Sequence, residues 1–409
     1  MRILFVSGSV GLGHITRDLA IAGELRKCIP AVEIYWLAAH PATVPLREAG
    51  EEVLPESEEF YSYSVVAEKV AGPGFRFNIL KYGFSAVGLL RKNIKPFRRA
   101  LARHSFDLVL GDESYEVLAA LMYRRLKLSV PYVMIWDFIG NDAMSNHPLE
   151  RLGVYLINVT WLRAARLFSR PGHVALFVGE PEDVADMAFG WRLPNRRQVA
   201  ERIFHFLGYV VPFDPGKYTD RRAVRAELGY GPEPLIVCSI GGTGIGGDLL
   251  RLCCEAWPLM ETAIPGARML LVGGPRFDTG SLRVPRGVQL AGYVPHLYKH
   301  LAACDLAIVQ AGGSTTLELT TLRRPFLYFP LEGHCEQQVC VAGRLARHGA
   351  GVRMNYSETT PASLAEAAVA AIGRQVDYPP IRTDGAREAA SIVARLLAKS
   401  AAEVSRRVV

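Results

Sequence analysis

The sequence predicts an α/β protein built of two doubly wound, Rossmann-like parallel-sheet domains facing a cleft. Three observations predict it. Short apolar runs alternate with amphipathic helical stretches along most of the chain, and strands that are apolar on both faces belong to parallel sheets covered on both sides. The alternation restarts after residue 212, behind VVPFDPGKYTDRRAVRAELGYGPEP, whose Pro, Gly and charge suit a linker followed by a surface helix. The length of 409 residues is too great for one ordinary core and suits two domains.

In chain order, RILFVS is a strand, and Ile15 to Lys27 follow as a helix with Ile15, Leu19, Ala22 and Leu25 on one face. VEIYWLAA, FDLVLGD (106–112) and PYVMIWD (131–137) are further strands, with the helical YEVLAALMYRRL between the last two. In the second unit LIVCSIGG, RMLLVGG, VQLAGYV, DLAIVQAGG and PFLYFP read as strands. GDLLRLCCEAWPLME, HLYKHLAAC and STTLELTTLRR read as helices. The last segment, GAREAASIVARLLAKSAAEV, places Ala, Ile, Val and Leu on one helical face. The expected boundaries are 1–212, 213–385 and a terminal helix over 386–409 that crosses back to the first domain.

Half of the residues are hydrophobic and 21% are charged, the balance of a globular chain. No apolar run reaches the roughly 18 residues that span a bilayer. The first strand runs straight into a glycine turn without the pattern of a signal peptide, so a cytoplasmic protein is expected. The seven cysteines form no Cys-x-x-Cys pair and read as buried, reduced thiols. The net charge of +7 is uneven: residues 75–103 hold eight Arg or Lys and no acid, a patch that attracts anions. No nucleic-acid partner is expected.

In open α/β sheets ligands bind outside the carboxyl ends of the strands, and three glycine-rich turns lie there: Gly8 to Gly13, Gly241 to Gly247, and Gln310 to Thr316. None fits the dinucleotide fingerprint, and no lysine completes a P-loop. Helix N-termini with free N–H groups hold phosphate, and Ser314, Thr315 and Thr316 add hydroxyls or serve as caps. Glu318, four residues past Ser314, can accept two hydrogen bonds from a vicinal diol such as a ribose, or simply favour the helix dipole. Gln337 and Gln338 in EQQ suit sugar hydroxyls, or solvent.

GLGH after the first strand, then GGSTTLE, PFLYFP, QQVCVA and GAG in that order, resemble the GT-B glycosyltransferases, the group of the peptidoglycan N-acetylglucosaminyltransferase, antibiotic glycosyltransferases and plant UDP-sugar transferases. The resemblance implies an acceptor-binding first domain and a nucleotide-sugar-binding second domain. It implies Gly312, Gly313, Ser314, Thr315 and Thr316 on the donor diphosphate, Glu318 on the ribose, and Gln337 and Gln338 on the sugar. Val294 in GYVPHL would bond the base through backbone, and Gly241, Gly242 and Thr243 would line the phosphate side. Gln310 stands where many relatives carry histidine, and it keeps a donor without a charge. His14 would be the general base, with Asp112 to orient it, or His14 and Gly13 would be glycine-loop residues near the sugar. Asp112 also reads as a helix cap.

The function implied is inverting transfer of a hexosyl group from a nucleoside-diphosphate sugar, UDP ahead of dTDP, to a hydroxyl of a small or lipid-linked acceptor. No Asp-x-Asp motif occurs, and no metal or cofactor is expected. Gly11, Gly13, His14 and Arg17 also resemble the nucleotide-sugar hydrolase of pseudaminic acid biosynthesis, and a catalytically silent sugar-nucleotide-binding subunit is the third alternative. From Asn93 a helix is expected with Pro96 in its first turn and Ile94, Phe97 and Leu101 on one face. Phe75, Phe77, Leu80, Phe84, Leu89 and Leu90 supply apolar bulk before it. The segment reads either as a helix packed on the sheet or as a contact with an anionic membrane surface, which would make the protein peripheral on the inner face.

Overall fold

A computed structural model describes residues 1–8, 11–72 and 75–408, apart from the side chains of residues 84 and 403–408. Ser9 and Val10 of the first glycine turn and the Phe84 side chain therefore lie outside the described residues. The first sheet is parallel and has seven strands: β1 Arg2–Val6, β2 Glu33–Leu37, β3 Glu52–Val53, β4 Leu108–Asp112, β5 Tyr132–Trp136, β6 His173–Phe177 and β7 Phe204–Phe206. Their order is β3-β2-β1-β4-β5-β6-β7. The second sheet, also parallel, runs β10-β9-β8-β11-β12-β13. Its strands are β8 Leu235–Ser239, β9 Arg268–Val272, β10 Val288–Ala291, β11 Leu306–Gln310, β12 Phe326–Phe329 and β13 Val352–Arg353.

Both sheets bury both faces, which is why their strands read as continuous apolar runs rather than alternating ones. Phe5, Ile3 and Trp36 face one cluster of the first sheet, and Leu4, Val6 and Trp136 the other. In each sheet the order reverses beside the first strand of the unit, β1 or β8. The crevices at those switch points are where ligands bind, and the two sheets turn theirs toward each other.

The helix Gly385–Val408 returns to the first sheet. Ala389, Ala390, Val393 and Leu397 are buried in the same cluster as Ile3, Phe5 and Ile15 of the first half. Tyr209 N donates to Arg382 O at 2.8 Å and Gly385 N to Tyr209 O at 3.1 Å, tying the return to the end of the first half.

Two expectations for the basic segment need correction. The helix spans Ile79–Arg103, so Pro96 lies deep inside it rather than in its first turn. Pro96 and Phe97 are buried, so apolar packing offsets the lost backbone hydrogen bond. Phe75 packs in the core of the second half, fully buried and stacked on Tyr356 at 5.1 Å between ring centroids. Around it the chain crosses between halves: Phe77 N donates to Glu332 O at 2.7 Å, and Glu332 N to Phe75 O at 2.9 Å.

Candidate active site

The glycines at the strand ends let the two halves close on each other. A Cβ on Gly242 would lie 2.4 Å from Leu12 N and 2.8 Å from Gly11 Cα, and one on Gly13 would lie 2.5 Å from Ser314 Oγ. Glu68 reaches from the first half to hold the second glycine turn. It accepts from Gly244 N at 3.0 Å and from Arg276 at 2.7 and 2.6 Å.

Among the described residues, two of the cavities along this seam share the glycine turns. The larger, about 470 Å³, is lined by Val294, Tyr298, Glu318 and the turn at Gly241 and Gly242. The smaller, about 140 Å³, is lined by His14, Arg17, Asp137, Thr243, Gln310, His334, Glu336 and Gln337. Gly13, Gly241, Gly242, Ser314 and Thr315 border both. The shared wall is thus the start of the helix Gly313–Thr321, whose first N–H groups have no intrahelical partner. Thr316 is different: its Oγ1 donates back to Gly312 O at 2.9 Å.

Glu318 lies on that helix and is nearly buried. Burial alone pushes its carboxyl up to about 8. Gln310 Oε1 is buried with no hydrogen-bond partner. Gln337 borders the small cavity while its Oε1 accepts from Leu331 N at 2.8 Å. Gln338 departs from expectation: its Nε2 donates to Pro330 O and Leu331 O at 3.1 and 3.2 Å, and its Oε1 accepts from Arg353. With its amide committed to the chain end of β12, it borders neither cavity.

The deepest corner is a buried charge cluster around Arg17. Its Nε and Nη2 donate to Asp112 Oδ2 and Oδ1 at 2.7 and 2.6 Å, and its Nη1 donates to Asp137 Oδ2 at 2.6 Å. His14 Nδ1 lies 3.1 Å from Asp112 Oδ2 and 2.7 Å from Arg17 Nη2, and His14 Nε2 lies 3.8 Å from Glu113 Oε2. Burial opposes the Arg17 charge, but Asp112 and Asp137 outweigh it and hold the guanidinium above its ordinary value. Burial likewise pushes Asp112 and Asp137 up, and Arg17 together with His14 more than reverses it, so both stay ionised below the usual range. At Glu113 the balance is reversed: burial, then Asp137 and Asp112, outweigh Arg17 and drive its carboxyl well up. Glu336, across the cavity, is pushed up to about 7 by burial and then by Asp137. Glu113 also has a φ of +47°, a left-handed conformation that costs a side-chain-bearing residue roughly 1–2 kcal/mol.

Residues 275–383 match the glycosyltransferase family 28 C-terminal domain. The chain is 27% identical over 308 residues to an uncharacterized glycosyltransferase of Methanopyrus kandleri, a match covering 74% of this chain and 80% of that protein. It is 26% identical over 375 residues to the UDP-N-acetylglucosamine--N-acetylmuramyl-(pentapeptide) pyrophosphoryl-undecaprenol N-acetylglucosamine transferase of Streptomyces collinus, over 88% of this chain and 87% of that one. Among solved structures, the kitacinnamycin glycotransferase superposes with a TM-score of 0.58 at 18% identity over 99% of this chain and 98% of its own. The calicheamicin glycosyltransferase does so at 0.54 and 17% over 100% and 97%; these two likenesses are of fold. The chain has the GT-B fold and carries the glycosyltransferase family 28 C-terminal domain.

In this glycosyltransferase the sequence reading had paired His14 only with Asp112. It named Arg17 only within a motif and overlooked Glu113, Asp137, His334 and Glu336. A signal for two of them was present: Glu113 follows β4 and Asp137 follows β5, both at carboxyl ends beside the switch point. His334 and Glu336 reach the cavity from the segment after β12, and no pattern separates them from solvated loop residues.

Proposed function

We propose that the protein transfers a hexosyl group with inversion from a nucleoside-diphosphate sugar, UDP ahead of dTDP, to an acceptor hydroxyl. The observation that carries this is the shared wall. A diphosphate at Gly312 to Thr315 would leave its nucleoside in the larger cavity and its sugar in the smaller one. The helix start would stabilise the departing charge, Glu318 would take the ribose diol, and the backbone at Val294 the base. Gln337 and Glu336 would face the sugar. His14, the base expected from the sequence, borders the sugar cavity, and its Nε2 can serve so only in the tautomer that keeps the proton on Nδ1. The relative in Streptomyces collinus, by its name, uses a UDP-sugar, which favours UDP here.

The same name includes an undecaprenol-linked acceptor, and we extend the lipid-linked class to this chain. The outer face of the first half supports it. A groove of about 520 Å³ lies between the helices Ile79–Arg103 and Tyr115–Met122, with Val87, Leu90 and Ile94 along it and Arg91, Lys95 and Arg98 at its rim. Among the described residues no helix is long and apolar enough to cross a membrane, so contact would be peripheral. The test is nucleoside diphosphate release from UDP- and dTDP-sugars with and without hydroxyl acceptors, lipid-linked ones included. Release that an acceptor stimulates is expected. Release indifferent to every acceptor would favour a hydrolase, and no release would overturn the reading.

A further inference from the structure

The tautomer of His14 is set by Arg17. A guanidinium has five N–H groups and nothing that accepts. Arg17 spends Nε, one Nη2 hydrogen and Nη1 on Asp112 and Asp137, which leaves the second Nη2 hydrogen for His14 Nδ1 at 2.7 Å. At that distance Nδ1 must accept, because an Nδ1–H would meet an N–H head on. Asp112 Oδ2 is the more distant neighbour of Nδ1, at 3.1 Å, and already accepts from Arg17 Nε. The imidazole proton is therefore on Nε2, where it cannot act as a base.

Nε2 faces Glu113 Oε2 across 3.8 Å. That gap is too long for a hydrogen bond, and it lets one hydroxyl oxygen lie against both groups. Glu113 is held there by construction. Its left-handed backbone is fixed on both sides, with Glu113 N donating to Ile135 O at 3.1 Å and its carbonyl accepting from Tyr115 N at 2.8 Å. Its Oε1 is buried with no hydrogen-bond partner. Strained backbone at a buried carboxyl that contacts Asp137 and Tyr115 beside a site histidine is the kind of outlier that points to function.

We propose that Glu113 takes the proton of the acceptor hydroxyl, and that His14 is a positioning residue whose Nε2–H holds the acceptor oxygen. The proposal rests on the glycosyl-transfer reading above. The acceptor's O–H proton passes to Glu113 Oε2, and the oxygen's electron pair forms the bond to the anomeric carbon. The bond from that carbon to the diphosphate oxygen breaks, and its electrons leave with the nucleoside diphosphate. Glu113 is faced by His14 and Arg17 from the first helix, by Asp112 on its own strand, by Asp137 after β5, and by Tyr82 and Tyr115 from the helices beside it. Burial and the two aspartates raise its proton affinity, which makes it a stronger base once ionised.

Two measurements on the full chain test this. Nitrogen-15 NMR of histidine-labelled protein, with His14→Gln to assign the resonance, should show the Nε2–H tautomer at rest. The Nδ1–H pattern would overturn the assignment whatever the activity. In the second, nucleoside diphosphate release is followed from UDP-glucose, UDP-N-acetylglucosamine and dTDP-glucose with water as acceptor. Glu113→Gln should lower kcat by about 10²–10⁴-fold with KM unchanged, and should remove the fall in rate toward low pH. His14→Gln, which keeps an N–H near the Nε2 position, should retain most of the turnover that His14→Ala loses. A Glu113→Gln enzyme with wild-type kcat and pH profile refutes the proton acceptor. A wild type that releases nothing from any donor, with water or with the hydroxyl and lipid-linked acceptors of the preceding test, refutes glycosyl transfer instead, and the NMR result still judges the tautomer.

Discussion

Replacing Arg17 with methionine should destabilise the first half severely and in a pH-dependent way. Arg17 is 5% exposed and Asp112 is fully buried, so the variant leaves Asp112 and Asp137 in a low-dielectric corner without their cation. Removing one partner of a buried ion pair costs about 3–5 kcal/mol. At about 2–4 °C per kcal/mol for a unit of this size, the melting temperature near neutral pH should fall by roughly 6–20 °C. The sign of the pH effect follows from the shifts. Despite the upward push of burial, Arg17 with His14 holds both aspartates below their ordinary range in the folded protein. Their stabilisation is thus fully present above the unfolded value of about 3.9 and is lost only as pH falls through the lower folded values. In the variant, burial is opposed only by the smaller effects of His14 and, at Asp137, of Glu113, so both carboxyls rise, and the penalty grows as pH climbs from about 4 toward neutrality. Calorimetry of both proteins near pH 7.5 and near pH 4.5 should therefore show a wide gap in melting temperature that narrows on acidification. Equal melting temperatures at neutral pH, or a gap that widens in acid, would refute the cluster as an ion-paired unit.

Glu318→Ala should weaken UDP binding by about 1.5–3 kcal/mol, the scale for hydrogen bonds to a charged group. Since burial holds its carboxyl up to about 8 and a diol donates to the ionised form, wild-type affinity should rise as pH passes upward through that value; calorimetry that shows neither effect removes Glu318 from the donor site. Gly242→Ala places a methyl against the backbone of Gly11 and Leu12, so the halves should part, seen as a larger radius of gyration by solution scattering with the melting temperature of each half preserved. An unchanged radius would mean that the seam relaxes locally. Anionic but not neutral liposomes should co-sediment the protein at low salt, and Arg91→Ala with Lys95→Ala should abolish it; Arg99 and Arg103 are poorer choices because they already pair with Glu59 and Glu56. Full binding by the double variant would sink the groove as the membrane contact.

What the sequence determined by itself is whatever depends on near neighbours. The apolar runs of β1, β2, β4, β5, β8, β9, β11 and β12 were legible because strands buried on both faces need unbroken hydrophobicity, and the half-buried edge strand β10 was legible from Val288, Leu290 and Ala291. The other edge strands, β3, β7 and β13, of two or three residues each, carry too little pattern to detect. β6 was also left out of the reading, although Pro171-Gly172 and an apolar run mark it as they mark the others. The glycine turns and the Ser314–Glu318 spacing were equally local, set by one turn and one helix. Only the tertiary structure decided which donors meet which acceptors. Arg17 and Asp112 are 95 residues apart and Arg17 and Asp137 are 120, and nothing short of the sheet order β1-β4-β5 brings them together. The Nη2 contact that moves the imidazole proton of His14 is therefore invisible in GLGHITR. So is the destination of Phe75, whose apolar neighbours in sequence suggest a place beside its own helix. Its burial in the other half follows from a chain crossing that no periodicity encodes, because hydrophobic burial rewards any core that the chain can reach.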